Sequence, residues 1–157
     1  MNPLVLTARH RATLRRLAAP LLLVAADPAA AQAIAPGAWT VTSTVRELSV
    51  PGVPGFLQRM ARGKAKTERK RVGANQGIEA LLAPNLEAKC RTDSQSVANG
   101  RYAQALTCPQ KKGGEMHVAR AGTFDAAGFS GRATVTGTTV KGPLTIVLHQ
   151  RAVRVGS

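Results

Sequence analysis

Acidic and aromatic residues are scarce in this sequence. Its 157 residues include 8 Asp+Glu against 22 Lys+Arg, a formal net charge of +14, and only three Phe, one Trp and one Tyr. The few acids are scattered, and no two of them form the carboxylate pair that general acid–base catalysis or glycoside hydrolysis uses. With so few aromatic side chains, a core has to be built mostly of Val, Leu, Ile and Ala.

Motifs for cofactor binding and catalysis are missing as well. The sequence has no P-loop and no dinucleotide-binding fingerprint. Gly128-Phe-Ser-Gly131 is not the Gly-x-Ser-x-Gly of a nucleophile elbow, and it falls at a predicted hairpin. His117 and His149 are expected on the side of the sheet opposite the core, without a carboxylate cluster nearby. We therefore predict no metal, no cofactor and no enzymatic activity.

No apolar run is long enough to span a bilayer, but a shorter one lies near the amino terminus. Residues 17–26 are ten apolar residues in a row, whereas a membrane span takes about 20. Four arginines and no acid precede this run, and Ala31-Gln-Ala33 matches the small-x-small site of a signal peptidase. We predict a cleavable signal peptide over residues 1–33, cut after Ala33 or alternatively after Ala31. A membrane anchor or a core helix is the other interpretation of this segment.

Export would leave residues 34–157 as a single domain in the periplasm or outside the cell. These 124 residues carry 18 bases and 7 acids, a net charge of +11. A domain of this length can bury about two-thirds of its unfolded surface, which is enough for one core.

The two cysteines are predicted to pair across a hairpin. Asn99-Gly100 is a turn signal. A two-residue loop would pair residues whose numbers sum to 199, whereas a three-residue loop starting at Ala98 would pair those that sum to 198. We favour the longer loop, because it sets Cys90 directly opposite Cys108 at a separation that suits a disulfide. Metal ligation and redox chemistry are the alternatives, but the spacing is not Cys-x-x-Cys and no His lies close in sequence.

Other segments predict further strands of a meander. Residues 39–46 alternate between apolar and polar side chains, which indicates a half-buried strand, and Pro51–Gly55 indicates a loop. A turn over Asp125–Gly128 would pair the phenylalanines on either side of it. A turn at Lys141-Gly142 would set Val135 opposite Leu148.

One short helix is predicted between strands. Asn75 would cap an apolar run from Ile78 to Leu82, which Pro84 ends. About two turns of helix need packing against a sheet to persist. Together these segments predict a mainly β domain: a single antiparallel, strongly curved sheet like half a barrel, with one short helix.

Several short motifs, in order, are similar to those of one family. Pro36-Gly-Ala-Trp-Thr-Val-Thr42 resembles the P-G-L-W-E-V-T opening of the family called domain of unknown function 3617, small exported proteins of Gram-negative bacteria. Pro51–Gly55 resembles its P-G-M-P-G-M stretch, and Arg71–Gly73 with Ala80–Leu82 resembles its R-V-C-L-T-P-E passage. The resemblance covers nearly all of residues 36–157. It implies an exported, mostly antiparallel β domain, and it supplies no activity and no catalytic residues.

The densest positive charge lies in residues 59–71, where seven bases accompany one acid. One interpretation is a solvated edge strand and loop, whose cations oppose edge-to-edge aggregation. Another is a surface for anionic lipid, lipopolysaccharide or another envelope component. Export and the lack of interleaved aromatic residues argue against nucleic acid. The seven bases are Arg59, Arg62, Lys64, Lys66, Arg69, Lys70 and Arg71.

Arg120 is the one charge that the predicted registers place on the apolar face. Either its long side chain reaches the rim of that face, or the curved sheet forms a concave site where Arg120 meets an acidic head group.

These observations predict an exported periplasmic or envelope protein with a non-enzymatic binding or accessory role. The alternatives are a small-molecule or lipid carrier that uses the concave face, and an unrecognised enzyme. No transmembrane segment is expected after removal of the signal. A pocket of roughly 300 Å³ or more in the concave face would favour the carrier, whereas a filled or flat face would favour the accessory role.

Overall fold

A single antiparallel sheet of seven strands forms the body of residues 34–157, which the computed structural model describes. Its order is β2-β1-β7-β6-β5-β4-β3. The predicted fold, mainly β with one antiparallel sheet, is confirmed; the predicted signal peptide over residues 1–33 lies outside the described residues. The strands are β1 (Gly37–Ser49), β2 (Ala65–Val72), β3 (Arg91–Ala98), β4 (Arg101–Cys108), β5 (Met116–Asp125), β6 (Gly128–Thr139) and β7 (Gly142–Gly156).

The sheet is open and strongly curved. β2 and β3 lie at its two edges, so it does not close into a barrel. Lys66 of β2 and Cys108 of β4 nevertheless line one cavity on the same side, which requires the sheet to wrap around that side. We call this side the concave face. Trp39 and Val41 are buried on it, as the alternation in β1 predicted.

Two short α-helices and one turn of 3-10 helix (Leu86–Ala88) lie in the connections. α1 (Gly55–Ala61) follows the predicted Pro51–Gly55 loop and joins β1 to β2, and α2 (Glu79–Leu82) lies between β2 and β3. The predicted helix is thus present, but it is one turn long and begins after Ile78. Asn75 does not cap it; the turn before it is closed by the Gln76 side chain, which accepts from the Gly73 N–H at 2.8 Å. Within residues 34–157 no helix is long and apolar enough to cross a membrane.

The turn between β3 and β4 differs from the prediction. Ala98 faces Arg101, so the loop is the two-residue Asn99-Gly100 and not the three-residue loop. Both loop residues have positive φ, 52° and 69°, which is typical of a type I′ hairpin turn. The predicted three-residue register is therefore wrong next to the turn.

The cysteines still meet, because a β-bulge at Asp93 restores the other register. Beyond the bulge Arg91 faces Thr107, which brings Cys90 opposite Cys108 one position farther along. The two residues form a disulfide with an S–S distance of 2.03 Å and a Cα–Cα distance of 4.1 Å. The predicted disulfide is confirmed, and closing a loop of this length contributes about 3 kcal/mol by restricting the unfolded chain.

The two later hairpins have one register as predicted and one displaced. Phe124 faces Phe129 in the β5–β6 pair, as predicted. In the β6–β7 pair Val135 faces Ile146 rather than Leu148, because the loop is Val140-Lys141 and not Lys141-Gly142. The hydroxyl of Thr139 closes this turn by accepting from the Lys141 N–H and donating to the Gly142 carbonyl. The displacement is two residues, so every side chain keeps its predicted face.

The hydrophobic core fills one end of the concave face. Trp39 has no exposed surface, and its indole N–H donates to the Ala35 carbonyl at 3.0 Å. Tyr102 and Phe129 pack edge to face with ring centroids 5.5 Å apart. The core consists of Ile34, Trp39, Val41, Val72, Ile78, Leu81, Leu82, Tyr102, Phe124, Phe129 and Ala152.

Tyr102 fits in this core because glycines face it. A Cβ on Gly122 or Gly131 would collide with the tyrosine ring or hydroxyl and with facing backbone. The hydroxyl is buried and has no hydrogen-bond partner among the described residues. Burial opposes the charged phenolate and raises the pKa of Tyr102 to about 12, although the charge of Arg120 acts in the opposite direction.

We predict that the phenol of Tyr102, the only tyrosine in the sequence, ionises with a pKa of about 12 in the folded protein. In denaturant it should titrate near the ordinary value of about 10. Because folding raises this pKa, the stability that the neutral phenol contributes is complete below about pH 10 and is lost as the pH rises to about 12. Phenolate absorbance after a rapid pH jump measures the midpoint.

The control is Tyr102→Phe, which removes the absorbance change and the accompanying loss of stability. Since the hydroxyl has no partner to lose, the free energy of unfolding at neutral pH should be unchanged or slightly higher. A folded-state midpoint near 10 would contradict this account.

Candidate functional site

The other end of the concave face contains a cavity of about 550 Å³. This exceeds the roughly 300 Å³ expected of a carrier, and it lies within the usual range of ligand pockets. Its apolar wall is contributed by five strands of the sheet, β1, β4, β5, β6 and β7. The wall includes Val41, Val45, Leu106, Val118, Phe129 and Leu148.

The connection between the two edge strands covers part of the cavity on its open side. Ala83, Pro84 and Ala88 of this connection line the cavity, and so do both cysteines. The disulfide ties the end of the connection to β4 at the cavity wall. The two edges of the sheet are thus bridged by chain that is covalently fixed at one end.

A belt of four polar side chains lies next to the core along the concave face: Lys70, Gln104, Arg120 and Gln150. Gln104 and Gln150 are 4% and 7% exposed. Alternation along the strands places them there, because Lys70, Gln104 and Gln150 each lie two positions from a buried core residue. Arg120 lies four positions from Phe124, on the face that the sequence predicted.

Two cations of the belt hold the carboxyl end of α2. Lys70 Nζ donates to the Leu81 carbonyl at 2.8 Å and to the Ala83 carbonyl. Arg120 Nη1 donates to the Leu82 carbonyl at 3.0 Å, and it lies 3.5 Å from Gln104 Oε1. The last carbonyls of a helix have no intrahelical partner, so these contacts satisfy them and favour the helix dipole.

The capping contacts leave the belt with unused polar atoms. Arg120 Nε and Gln150 Oε1 are buried and have no hydrogen-bond partner among the described residues. The Gln150 amide nitrogen donates to Ser43 Oγ at 3.0 Å, which fixes the orientation of the side chain. A buried donor and a buried acceptor without partners are costly unless a ligand or water satisfies them.

The cavity is strongly cationic. Burial lowers the pKa of Lys70, and the nearby charge of Arg120 lowers it further; burial also lowers the pKa of Arg120. Glu68 is the one acid that lines the cavity, and it pairs with Lys66 at 3.2 Å. Neither Lys70 nor Arg120 forms an ion pair with a carboxylate of residues 34–157. An anion bound between Lys70 and Arg120 would favour their charged forms and so oppose the lowering of both pKa values.

The seven bases of the 59–71 run do not form one surface. Arg59 lies in α1, and Arg62 caps its end. Lys64, Lys66 and Lys70 line the cavity. Arg69 and Arg71 alternate with Lys70 along β2 and therefore lie on the outer face of this edge strand.

The histidines lie on the outer face, as predicted, and one of them belongs to a hydrogen-bonded chain. Thr107 Oγ1 donates to Asp93 Oδ2 at 2.6 Å and lies 3.2 Å from His117 Nδ1. The hydroxyl therefore lies between the acid and the imidazole, whereas a catalytic triad needs the imidazole between the acid and the hydroxyl. Residues 34–157 contain no group of three His, Cys, Asp or Glu that could hold a metal ion.

Sequence reasoning identified Arg120 but missed its polar neighbours. Gln104 and Gln150 carry a signal in hindsight, because each occupies an apolar position of an alternating strand, between Tyr102 and Leu106 and between Leu148 and Ala152. The inward direction of Lys70 depends on the register of β2, a strand that the sequence pattern did not define.

Comparison with known proteins gives a family and no activity. The model of the family described as "Protein of unknown function (DUF3617)" matches residues 34–157. The family resemblance of the sequence motifs is therefore confirmed. Neither the curated proteins nor the solved structures include a match to the chain.

Proposed function

We propose that this chain, which belongs to the DUF3617 family, is an exported, non-enzymatic binding protein that holds a small anionic amphiphile. The observation that carries the proposal is the cavity of about 550 Å³, whose apolar wall leads to Lys70 and Arg120. An apolar pocket with a few convergent polar groups is typical of a binding site for a small molecule.

The charges of the cavity favour a ligand with an acidic head group. Lys70 and Arg120 would share a carboxylate, sulfate or phosphate, since hydrogen bonds between charged groups are stronger than neutral ones. Arg120 Nε would then gain a partner. Gln150 Oε1 is an acceptor, so it favours a ligand hydroxyl or amide beside the acidic group.

The apolar part of the ligand would lie along the wall formed by Val45, Val118 and Leu148. Burying alkyl groups there contributes about 25 cal/mol per Å² of apolar surface. Anionic lipid and lipopolysaccharide carry both chemical features, an acidic head group and acyl chains, and are the envelope components that this site would suit.

Export is part of the proposal. The predicted signal peptide over residues 1–33 would deliver the protein to the periplasm or outside the cell, and disulfides such as Cys90–Cys108 persist in oxidising compartments. The outer-face chain of Asp93, Thr107 and His117 lacks the order of a nucleophile, a base and an acid, which supports a binding role rather than catalysis.

A second candidate is an accessory protein that contacts another envelope component. The observation in its favour is the exposed edge strand β3, in which only Val97 is partly buried. An extended partner segment could add to such an edge.

We predict that Arg120→Met lowers the affinity for a fluorescent long-chain fatty acid by about tenfold or more, because a hydrogen bond to a charged group contributes about 1.5–3 kcal/mol. The affinity for the corresponding neutral amide should change little. Titration of probe fluorescence measures both.

The matched control is Arg132→Met, an exposed arginine on the outer face, which should bind the acid as the wild type does. Lys70→Gln is a second variant. Both substitutions remove a contact with the end of α2, so circular dichroism checks the fold of each. Equal loss for the acid and the amide, or no loss in either variant, would contradict the anion site.

We also predict that the protein recovered from the periplasm lacks residues 1–33. Its intact mass should match residues 34–157 with one disulfide, or residues 32–157 if cleavage follows Ala31. An unprocessed chain in the cytoplasm would contradict export.

A further inference from the structure

Helix α1 displays its apolar side chains instead of burying them. Phe56, Leu57 and Met60 are 55%, 44% and 64% exposed, and no residue of the helix is buried. Short helices in water persist by burying an apolar face. The exposure of three large apolar side chains in one turn and a half therefore needs an explanation.

Polar contacts hold α1 against the loop that precedes it. The Gln58 amide nitrogen donates to the Val50 carbonyl at 3.1 Å and to the Val53 carbonyl at 2.8 Å. These bonds fix the helix to the preceding loop from its interior side. The apolar side chains are thus presented to solvent by a structured element.

The β6–β7 hairpin turn lies beside the loop that precedes α1 and carries a further exposed apolar residue. The Val140-Lys141 turn contacts the start of the Pro51–Gly55 loop. A Cβ on Gly142 would lie 3.6 Å from Pro51, and a Cβ on Gly52 would meet the Lys141 side chain. Val140 is 79% exposed. We define the α1 tip as Phe56, Leu57, Arg59, Met60 and Arg62 together with Val140 and Lys141.

The charge of the α1 tip is of one sign. Arg59 and Arg62 accompany the exposed apolar residues on the helix, and no acid occurs between Glu47 and Glu68. Bases around exposed apolar side chains suit the interface of an anionic bilayer, where apolar groups enter the acyl boundary and the cations contact phosphates. A protein partner would have to supply acids of its own.

We propose that the α1 tip docks on an anionic lipid bilayer. Phe56, Leu57 and Met60 enter the head-group region, and Arg59 and Arg62 contact lipid phosphates. This inference rests on the exposure and charge of the tip and goes beyond the ligand site at Arg120.

Docking at the α1 tip would place the cavity beside the membrane. Val45 lines the cavity. The Val45 carbonyl accepts from the Gly63 N–H at 2.8 Å, and the Val45 N–H donates to the Lys64 carbonyl at 2.9 Å. Gly63 and Lys64 follow the end of α1. The cavity therefore extends to the base of the tip, and a lipid leaving the bilayer would have a short path into it.

The test is cosedimentation of the purified protein with vesicles of phosphatidylcholine, with and without phosphatidylglycerol. Wild type should bind the vesicles that contain phosphatidylglycerol, and rising salt should weaken the binding. Two tip variants should each lose about tenfold or more in affinity for these vesicles. One combines Phe56→Ser, Leu57→Ser and Met60→Ser, and the other combines Arg59→Glu and Arg62→Glu. All proteins carry the same amino-terminal segment, so the differences report the tip alone.

The matched control makes the same kinds of change on the outer face of β7. This control variant should bind vesicles as wild type does. It replaces two exposed apolar residues and one base that are far along the chain from α1, by Val153→Ser, Val155→Ser and Arg151→Glu. Phe56→Trp gives a direct readout, because its fluorescence should shift to the blue on vesicles and be quenched by brominated acyl chains, whereas Trp39 is buried.

Three results would overturn the proposal: equal binding to both kinds of vesicle, undiminished binding of the tip variants, or a dimer that the tip variants dissociate while no protein binds vesicles. The last result would assign the tip to contact between copies of the chain. The tip variants should keep wild-type affinity for the fluorescent fatty acid. Failure of the docking surface and failure of the ligand site are therefore distinguishable.

Discussion

Two cations at the carboxyl end of a one-turn helix determine how the concave face is used. Lys70 from one edge of the sheet and Arg120 from its middle donate to consecutive carbonyls at the end of α2. The helix is too short to persist alone, so these bonds and the burial of Ile78, Leu81 and Leu82 hold it on the sheet. With α2 in place, one end of the face is a core and the other remains a cavity. The same cations line that cavity, and Arg120 Nε remains free to donate to a ligand.

The disulfide extends this arrangement to the other edge. α2 and the chain that follows it run from β2 to β3, and Cys90 at the end of this connection is bonded to Cys108 of β4. The connection is thus held at its start by cations and at its end by a covalent bond. An open sheet with two free edges in this way forms a partly covered, ligand-sized cavity without closing into a barrel.

The sequence patterns predicted correctly which face of the sheet a side chain lies on, but less often which residue lies opposite it on the next strand. The difference has a physical reason. Side chains alternate with period two along a strand, so the predicted face of Trp39 or Arg120 survives any register error of an even number of residues. Which residue lies opposite depends on turn geometry and bulges. The β6–β7 turn, which the Thr139 hydroxyl closes, lies one residue earlier than predicted. The bulge at Asp93 allows Cys90 to face Cys108 although the β3–β4 turn has only two residues. The basic run could not be divided among three surfaces until the register of β2 was known.

The central claim is that the cavity binds an anionic amphiphile, and native mass spectrometry of the purified protein tests it most directly. The account predicts a population heavier than residues 34–157 by the mass of an acidic amphiphile, which dissociates on collisional activation and appears in negative-ion mode, and which is depleted when Arg120 is replaced. A protein that retains its fold and its disulfide, carries no such molecule and takes up none when incubated with anionic lipid would contradict the claim.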